Sequence, residues 1–192
     1  MVRHPKVAVV LASTKEFSGR VIRWASHSPI NHAMLVYEDP LWTGFWSAEA
    51  LPRKGVIRPP FDPDDPRYLK LEFYVYNGNP EVGLRDLRWL IGSDYDYAGA
   101  IIGTMRLIFR KIFGTLSNMS IHDHKKLFCF ELVTRYLQNL RVAGAESLIP
   151  ENTSPAILRE WLIKHPDFQR VSVERFMEDT SEIPFAKLII GR

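Results

Sequence analysis

Residues 31–50 read NHAMLVYEDPLWTGFWSAEA, and the fold turns on how this stretch is divided. Asn31 to Tyr37 is strand-like in composition, Glu38-Asp39-Pro40 carries turn chemistry, and Gly44 to Ala50 reads as the returning strand of a hairpin. A turn centred between Pro40 and Leu41 sets Glu49 directly across from His32, where cross-strand Cβ atoms lie about 4.5–5.5 Å apart. At that range a carboxylate can hold an imidazole in one tautomer and stabilise its protonated form. A slip of one residue would move Glu49 to the other face. Read singly, each residue has a plainer account: His32 as a satisfied core histidine beside Met34 and Val36, and Glu49 as a solvated strand carboxylate.

Outward from the hairpin, the apolar run from Val7 to Ala12 predicts a first strand, and Phe17, Val21, Ile22 and Trp24 predict a short helix over about 15–25. Gly55 to Arg58 reads as a third strand, and Pro59–Pro66 with its three aspartates as a surface loop. The alternation of Leu69, Leu71, Phe73 and Val75 with Lys70, Glu72, Tyr74 and Tyr76 predicts a further strand, so the first half forms an antiparallel sheet. Pro80 opens a helix to about Ile91, and Ser154-Pro155 opens another to about Lys164. Between them, Cys129, Val133, Tyr136, Leu137 and Leu140 form one apolar stripe on a helix from about Lys125 to Leu140. Val171–Val173 and Ala186–Ile190 supply late strands, and no internal repeat or low-complexity tract interrupts the pattern.

The 192 residues make one domain, 1–192, by length, and 46% hydrophobic with 12% aromatic side chains gives ample apolar surface to offset the entropy of ordering the chain. A net charge of +3 makes no nucleic-acid footprint. One cysteine excludes an intramolecular disulfide and any multi-thiolate metal site, and fits a reducing compartment. Val7–Leu11 is shorter than a secretory h-region, and Arg106 and Arg110 interrupt the longest apolar candidate, so a cytoplasmic location is expected, with release to a cell wall as the other route.

That one cysteine, Cys129 in Leu127-Phe128-Cys129-Phe130, reads most simply as a small buried hydrophobe. Its place near a helix start argues otherwise, because the positive end of the macrodipole, with Lys125 and Lys126 close in sequence, favours an anionic sulfur. A cysteine nucleophile needs a base, and the base an orienting partner.

Five short motifs now stand in order: His32 opening the strand Asn31-His32-Ala33-Met34-Leu35-Val36; Ala48-Glu49-Ala50 followed by Gly55-Val56; Tyr95-Asp96-Tyr97-Ala98-Gly99; Phe128-Cys129-Phe130-Glu131-Leu132-Val133; and Thr153-Ser154-Pro155 before a helix. Over residues 7–165 this order resembles the circularly permuted NlpC-type papain-like cysteine hydrolases, the YaeF/YiiX group, related more distantly to lecithin:retinol acyltransferase. The resemblance implies an α+β fold, a barrel-like antiparallel sheet packed against a helix that carries the cysteine. It implies Cys129 as nucleophile, His32 as general base and acid and Glu49 as the group orienting His32, with no cofactor. Tyr95 matches the family's tyrosine near the active site. The family usually has a small serine after the cysteine, so Phe130 alters the shape of the substrate pocket; Tyr95 and Phe130 are the expected substrate-contacting residues.

The implied chemistry is acyl transfer, with cell-wall peptide amides as the leading substrate class. A lipid ester hydrolase or acyltransferase is the alternative, and a catalytically inactive module holding a lipid or peptide is a reading from a different class, for which Phe130 is the sequence argument. The segment 101–116, which mixes Met105, Leu107, Ile108, Phe109, Ile112 and Phe113 with Arg106, Arg110 and Lys111, reads either as a core helix with snorkelling basic residues or as a peripheral membrane contact. His122-Asp123-His124 has metal-ligand residue types, yet on a polar loop it reads as solvent-exposed and no metal is expected there.

Overall fold

The computed structural model describes residues 4–39, 43–98, 100, 101, 104, 105, 108, 112 and 126–178. Among them the elements run β1 (Val7–Thr14), α1 (Phe17–Ser26), β2 (His32–Glu38), β3 (Phe45–Leu51), β4 (Gly55–Ile57), β5 (Tyr68–Tyr76), α2 (Glu81–Leu90), β6 (Asp94–Tyr95), β7 (Lys126–Leu127), α3 (Cys129–Asn139), α4 (Pro155–Lys164), β8 (Phe168–Val171) and α5 (Val173–Glu178). Six strands form one sheet in the order β4-β3-β2-β1-β5-β8, every neighbouring pair antiparallel. The sheet is open, with β4 and β8 at its edges, and is not the barrel-like closure expected.

β1 is apolar from Val7 to Ala12 because it lies in the middle of a sheet covered on both faces, and all eight of its residues are buried. Val9, Leu11, Ala33, Leu35, Ala48 and Ala50 face α3, where Leu132, Val133, Tyr136 and Leu137 meet them. Burying one such aliphatic side chain contributes roughly 1.5–3 kcal/mol, so the α3 stripe is a main anchor of this layer. On the other face Ala8, Val10, Met34, Val36 and Phe73 pack under Phe45, Phe61 and Phe176, the last supplied by α5.

Three boundaries differ from the sequence expectation. The helix expected from about Lys125 begins at Cys129 instead, because Lys126–Leu127 pairs in parallel with Asp94–Tyr95 and holds the chain extended through Phe128, whose φ and ψ are −107° and 169°. The late strand expected at Val171–Val173 ends at Val171, and Val173 opens α5. The β2–β3 register is Leu35 with Ala48 and Glu38 with Phe45, two residues away from the expected pairing. The connection keeps its length but moves one residue along the chain, from 38–43 to 39–44, and re-enters β3 through Gly44 at φ +86°, a conformation that suits glycine. The expected strand at 186–190, the His122-Asp123-His124 stretch and most of 101–116 lie outside the described residues. No helix among the described residues is long and apolar enough to cross a membrane.

Candidate active site

His32 is the first residue of β2, and its predecessor is anchored tightly. Asn31 accepts from the Thr14 N–H at 2.8 Å and from Arg23 Nη1 at 2.8 Å, and donates from Nδ2 to Thr14 Oγ1 at 2.6 Å. Thr14 Oγ1 donates on to Glu16 at 2.9 Å. This network fits only because residue 19 is glycine: a Cβ there would stand 2.2 Å from Asn31 Nδ2. The chain entering His32 is therefore held by side chains from β1 and α1 before any sheet pairing begins.

Glu49 lies within β3 and is 1% exposed. The observed register, continued, sets Met34 rather than His32 across from it. A two-residue offset keeps faces unchanged, so His32 still reaches Glu49 on the diagonal, with Nε2 and Oε2 3.2 Å apart. The imidazole also makes a hydrogen bond with the Cys129 side chain, which places it between sulfur and carboxylate. With Nε2 committed to Glu49, Nδ1 is the ring nitrogen left for the thiol.

Burial is the largest single influence on His32 and works against a charged ring. The hydrogen bonds with Cys129 and Glu49 and the charges of the same two groups outweigh it and raise the pKa to about 10. For Glu49, burial pushes the carboxyl up, but the hydrogen bond and charge of His32 together with the Arg67 guanidinium hold it below the usual carboxylate range. Each partner stabilises the charged form of the other.

Cys129 is the first residue of α3 and 8% exposed. Among the described residues no side-chain cap hydrogen bond is made at this helix end. Glu131, also in the first turn, is fully buried and ion-paired with Arg135 at 2.8 Å. Tyr95 arrives beside the cysteine because β6 pairs Tyr95 with Leu127, two residues before Cys129. Its ring stacks edgewise on Tyr97 at 5.0 Å between centroids. Burial, followed by the nearby Cys129 charge, pushes the Tyr95 phenol well above its ordinary value, so it stays protonated and can donate.

The structure thus brings Cys129, His32, Glu49 and Tyr95 together. Phe130 is 4% exposed and packs in the same core cluster as Cys129.

Sequence reading missed Arg67. Its Nη2 lies 3.7 Å from Glu49 Oε1, while its Nε donates to Asp65 Oδ2 at 2.8 Å. The available signal was the short carboxylate two residues earlier, since Asp65 Oδ1 accepts from the Arg67 N–H at 2.8 Å in an Asx-type turn just ahead of β5.

Among the described residues no group of three or more His, Cys, Asp or Glu side chains is arranged to hold a metal ion. No protein-family model matches the sequence, and no curated protein matches it. Among solved structures, the chain is similar to one described as metalloprotein yiiX from Escherichia coli O157:H7, with 13% identity over 88% of this chain and 96% of that one and a TM-score of 0.46. A likeness of that degree leaves the function to be argued from the site.

Proposed function

We propose that the chain is a thiol hydrolase of the permuted papain-like, NlpC-related type, cleaving amide bonds of cell-wall peptides through a Cys-His-Glu triad. The observation that carries this reading is a single buried imidazole bonded to the only cysteine on one side and to a buried carboxylate on the other. Such a constellation is recognised by geometry rather than chain order.

In the reactive pair the proton sits on His32. Cys129 Sγ attacks the substrate carbonyl carbon, forming the C–S bond while the carbonyl π electrons move to oxygen. The Cys129 N–H and a second first-turn N–H, with the Tyr95 hydroxyl, are the donors available to that oxyanion. His32 then gives its proton to the leaving nitrogen as the C–N bond breaks, leaving a thioester and an amine. Water, deprotonated by His32, attacks the thioester; the C–S bond breaks, the acid departs and the thiolate–imidazolium pair is restored. Glu49 keeps its charge throughout and orients the ring.

A second reading, an acyl-lipid ester in place of a peptide, draws on one observation. Tyr97, Ile101, Met105 and Ile112, all helical positions following Tyr95, are 46%, 59%, 43% and 58% exposed. Their spacing puts them on one face, as an interfacial helix would have them, and a peripheral membrane contact there would feed lipid to the site.

The test is alkylation of the single cysteine by iodoacetamide near pH 7, followed by intact mass after incubation with peptidoglycan fragments or phospholipid vesicles. Rapid labelling that disappears in His32→Ala, with an acyl adduct from peptidoglycan fragments, is the expected outcome. An adduct from phospholipid alone selects the second reading. Slow labelling indifferent to His32 overturns both.

A further inference from the structure

Glu49 is buried, yet it divides its two oxygens: Oε2 faces His32 at 3.2 Å and Oε1 faces Arg67 at 3.7 Å. A carboxylate buried against one imidazole alone would carry a large desolvation cost and could rotate between two equivalent oxygens. We infer that Arg67 is a positioning residue for the triad, fixing Glu49 as a charged, single-orientation acceptor for His32 from outside the sheet. The inference rests on the triad reading above.

The guanidinium is itself built in. Asp65 accepts from both the N–H and Nε of Arg67 at 2.8 Å. The guanidinium carbon lies 5.3 Å over the Tyr68 ring, and Nη2 reaches the Tyr68 hydroxyl at 3.3 Å. The Arg67 carbonyl accepts from the Lys15 N–H at 3.1 Å, which ties the loop before β5 to the chain entering α1. With three of its groups fixed, Arg67 presents Nη2 to Glu49 in one geometry, an arrangement a flexible lysine cannot reproduce.

The charged and titratable groups facing this carboxylate come from several elements. His32 of β2 and Arg67 favour its charge, and Tyr68 of β5, held neutral by burial and by Glu49, lies beside it. Asp65 and Glu16 act on it at one remove, through Arg67 and Tyr68. Cys129 reaches it only through His32. Arg67 is therefore the one group near Glu49, other than the catalytic ring, that supplies positive charge among the described contacts.

The experiment is the pH dependence of Cys129 alkylation in the full-length chain, for wild type, Arg67→Met, Arg67→Lys, Glu49→Gln and the Arg67→Met/Glu49→Gln double variant. Thermal melts at each pH keep fold and site separate. Arg67→Met is expected to move the acid limb of the labelling profile up by about one unit, the lower end for loss of a neighbouring opposite charge because Arg67 is partly solvated. Arg67→Lys is expected to move it less than half as far. In the Glu49→Gln background, Arg67→Met should cause no further shift, since its effect passes through that carboxylate. An unmoved limb in Arg67→Met, or an equal shift with and without Glu49, overturns the assignment. If Glu49→Gln and His32→Ala also leave the profile unchanged, the triad reading falls as well; if only the Arg67 variants are silent, it stands without Arg67.

Discussion

Two glutamates of this sheet are equally buried and oppositely employed. Glu49 and Glu72 are each 1% exposed. Glu72, on β5, is saturated: Arg159 Nε donates at 2.8 Å, Lys70 Nζ lies at 2.9 Å, Arg170 Nη2 at 3.4 Å, and the Tyr74 hydroxyl donates at 3.0 Å. Burial alone would push its carboxyl up, but those bonds and charges hold it down at about 2. It ties α4 to the sheet and is silent at any physiological pH. Among the described residues Glu49 meets Arg67 at a longer distance and a partner that can itself gain and lose a proton. The difference teaches that a buried carboxylate becomes chemically useful when its main partner is titratable, and becomes a rivet when its partners are permanently charged.

The comparison is broken most severely by neutralising each carboxylate in turn. Glu49→Gln should lower kcat/KM, measured on whichever substrate yields the acyl adduct, on the order of 10²- to 10³-fold; the loss stays below that of a wrong-tautomer variant because glutamine can still accept from Nε2. The same cluster gives stability a pH signature. His32 has an ordinary value of 6.5 and about 10 in the folded chain, so its contribution is full below pH 6.5 and lost as pH rises through about 10. Chemical denaturation from pH 6 to 10 should show a decline that His32→Gln largely abolishes; an unchanged decline would refute the imidazolium assignment.

Glu72→Gln should do the reverse. Labelling of Cys129 should be unaffected, while stability falls by about 2 kcal/mol, discounted from the cost of breaking a fully buried pair because its basic partners are partly solvated. For a chain of this size that is a drop of roughly 4–8 °C in melting temperature. Its carboxyl is depressed from 4.5 to about 2, so the wild-type contribution is present above pH 4.5 and lost as pH falls toward 2. The variant should lose that slope.

Gly19→Ala sharpens the contrast from the backbone side. The added methyl must displace Asn31, costing about 1–3 kcal/mol as overpacking does, and cysteine labelling should fall with it because His32 follows directly in the chain. The smallest effect belongs to Arg170→Ala: its side chain is 53% exposed and its contact with Glu72 is the longest of the three cations, so a change within about 0.5 kcal/mol is expected by thermal melt.

Much of this arrangement was legible in residues read singly. The continuous apolar run of β1 announced a strand, and the five apolar residues from Cys129 to Leu140 announced which side of α3 is buried. The hairpin that carries His32 and Glu49 was legible in outline, while its register was not, because composition does not fix at which residue each strand ends and the loop begins. The result survived because an even offset leaves both side chains on one face. Arg67 and the Asn31 network were invisible for another reason: they join segments by side-chain bonds across loops, and no periodicity records those.

The parallel pair of β6 and β7 clamps the chain where it leaves Tyr95 and where it comes back two residues ahead of Cys129. The separation of Tyr95 and Cys129 is therefore set by the main-chain pairing of their neighbours and not by the length of sequence that divides them.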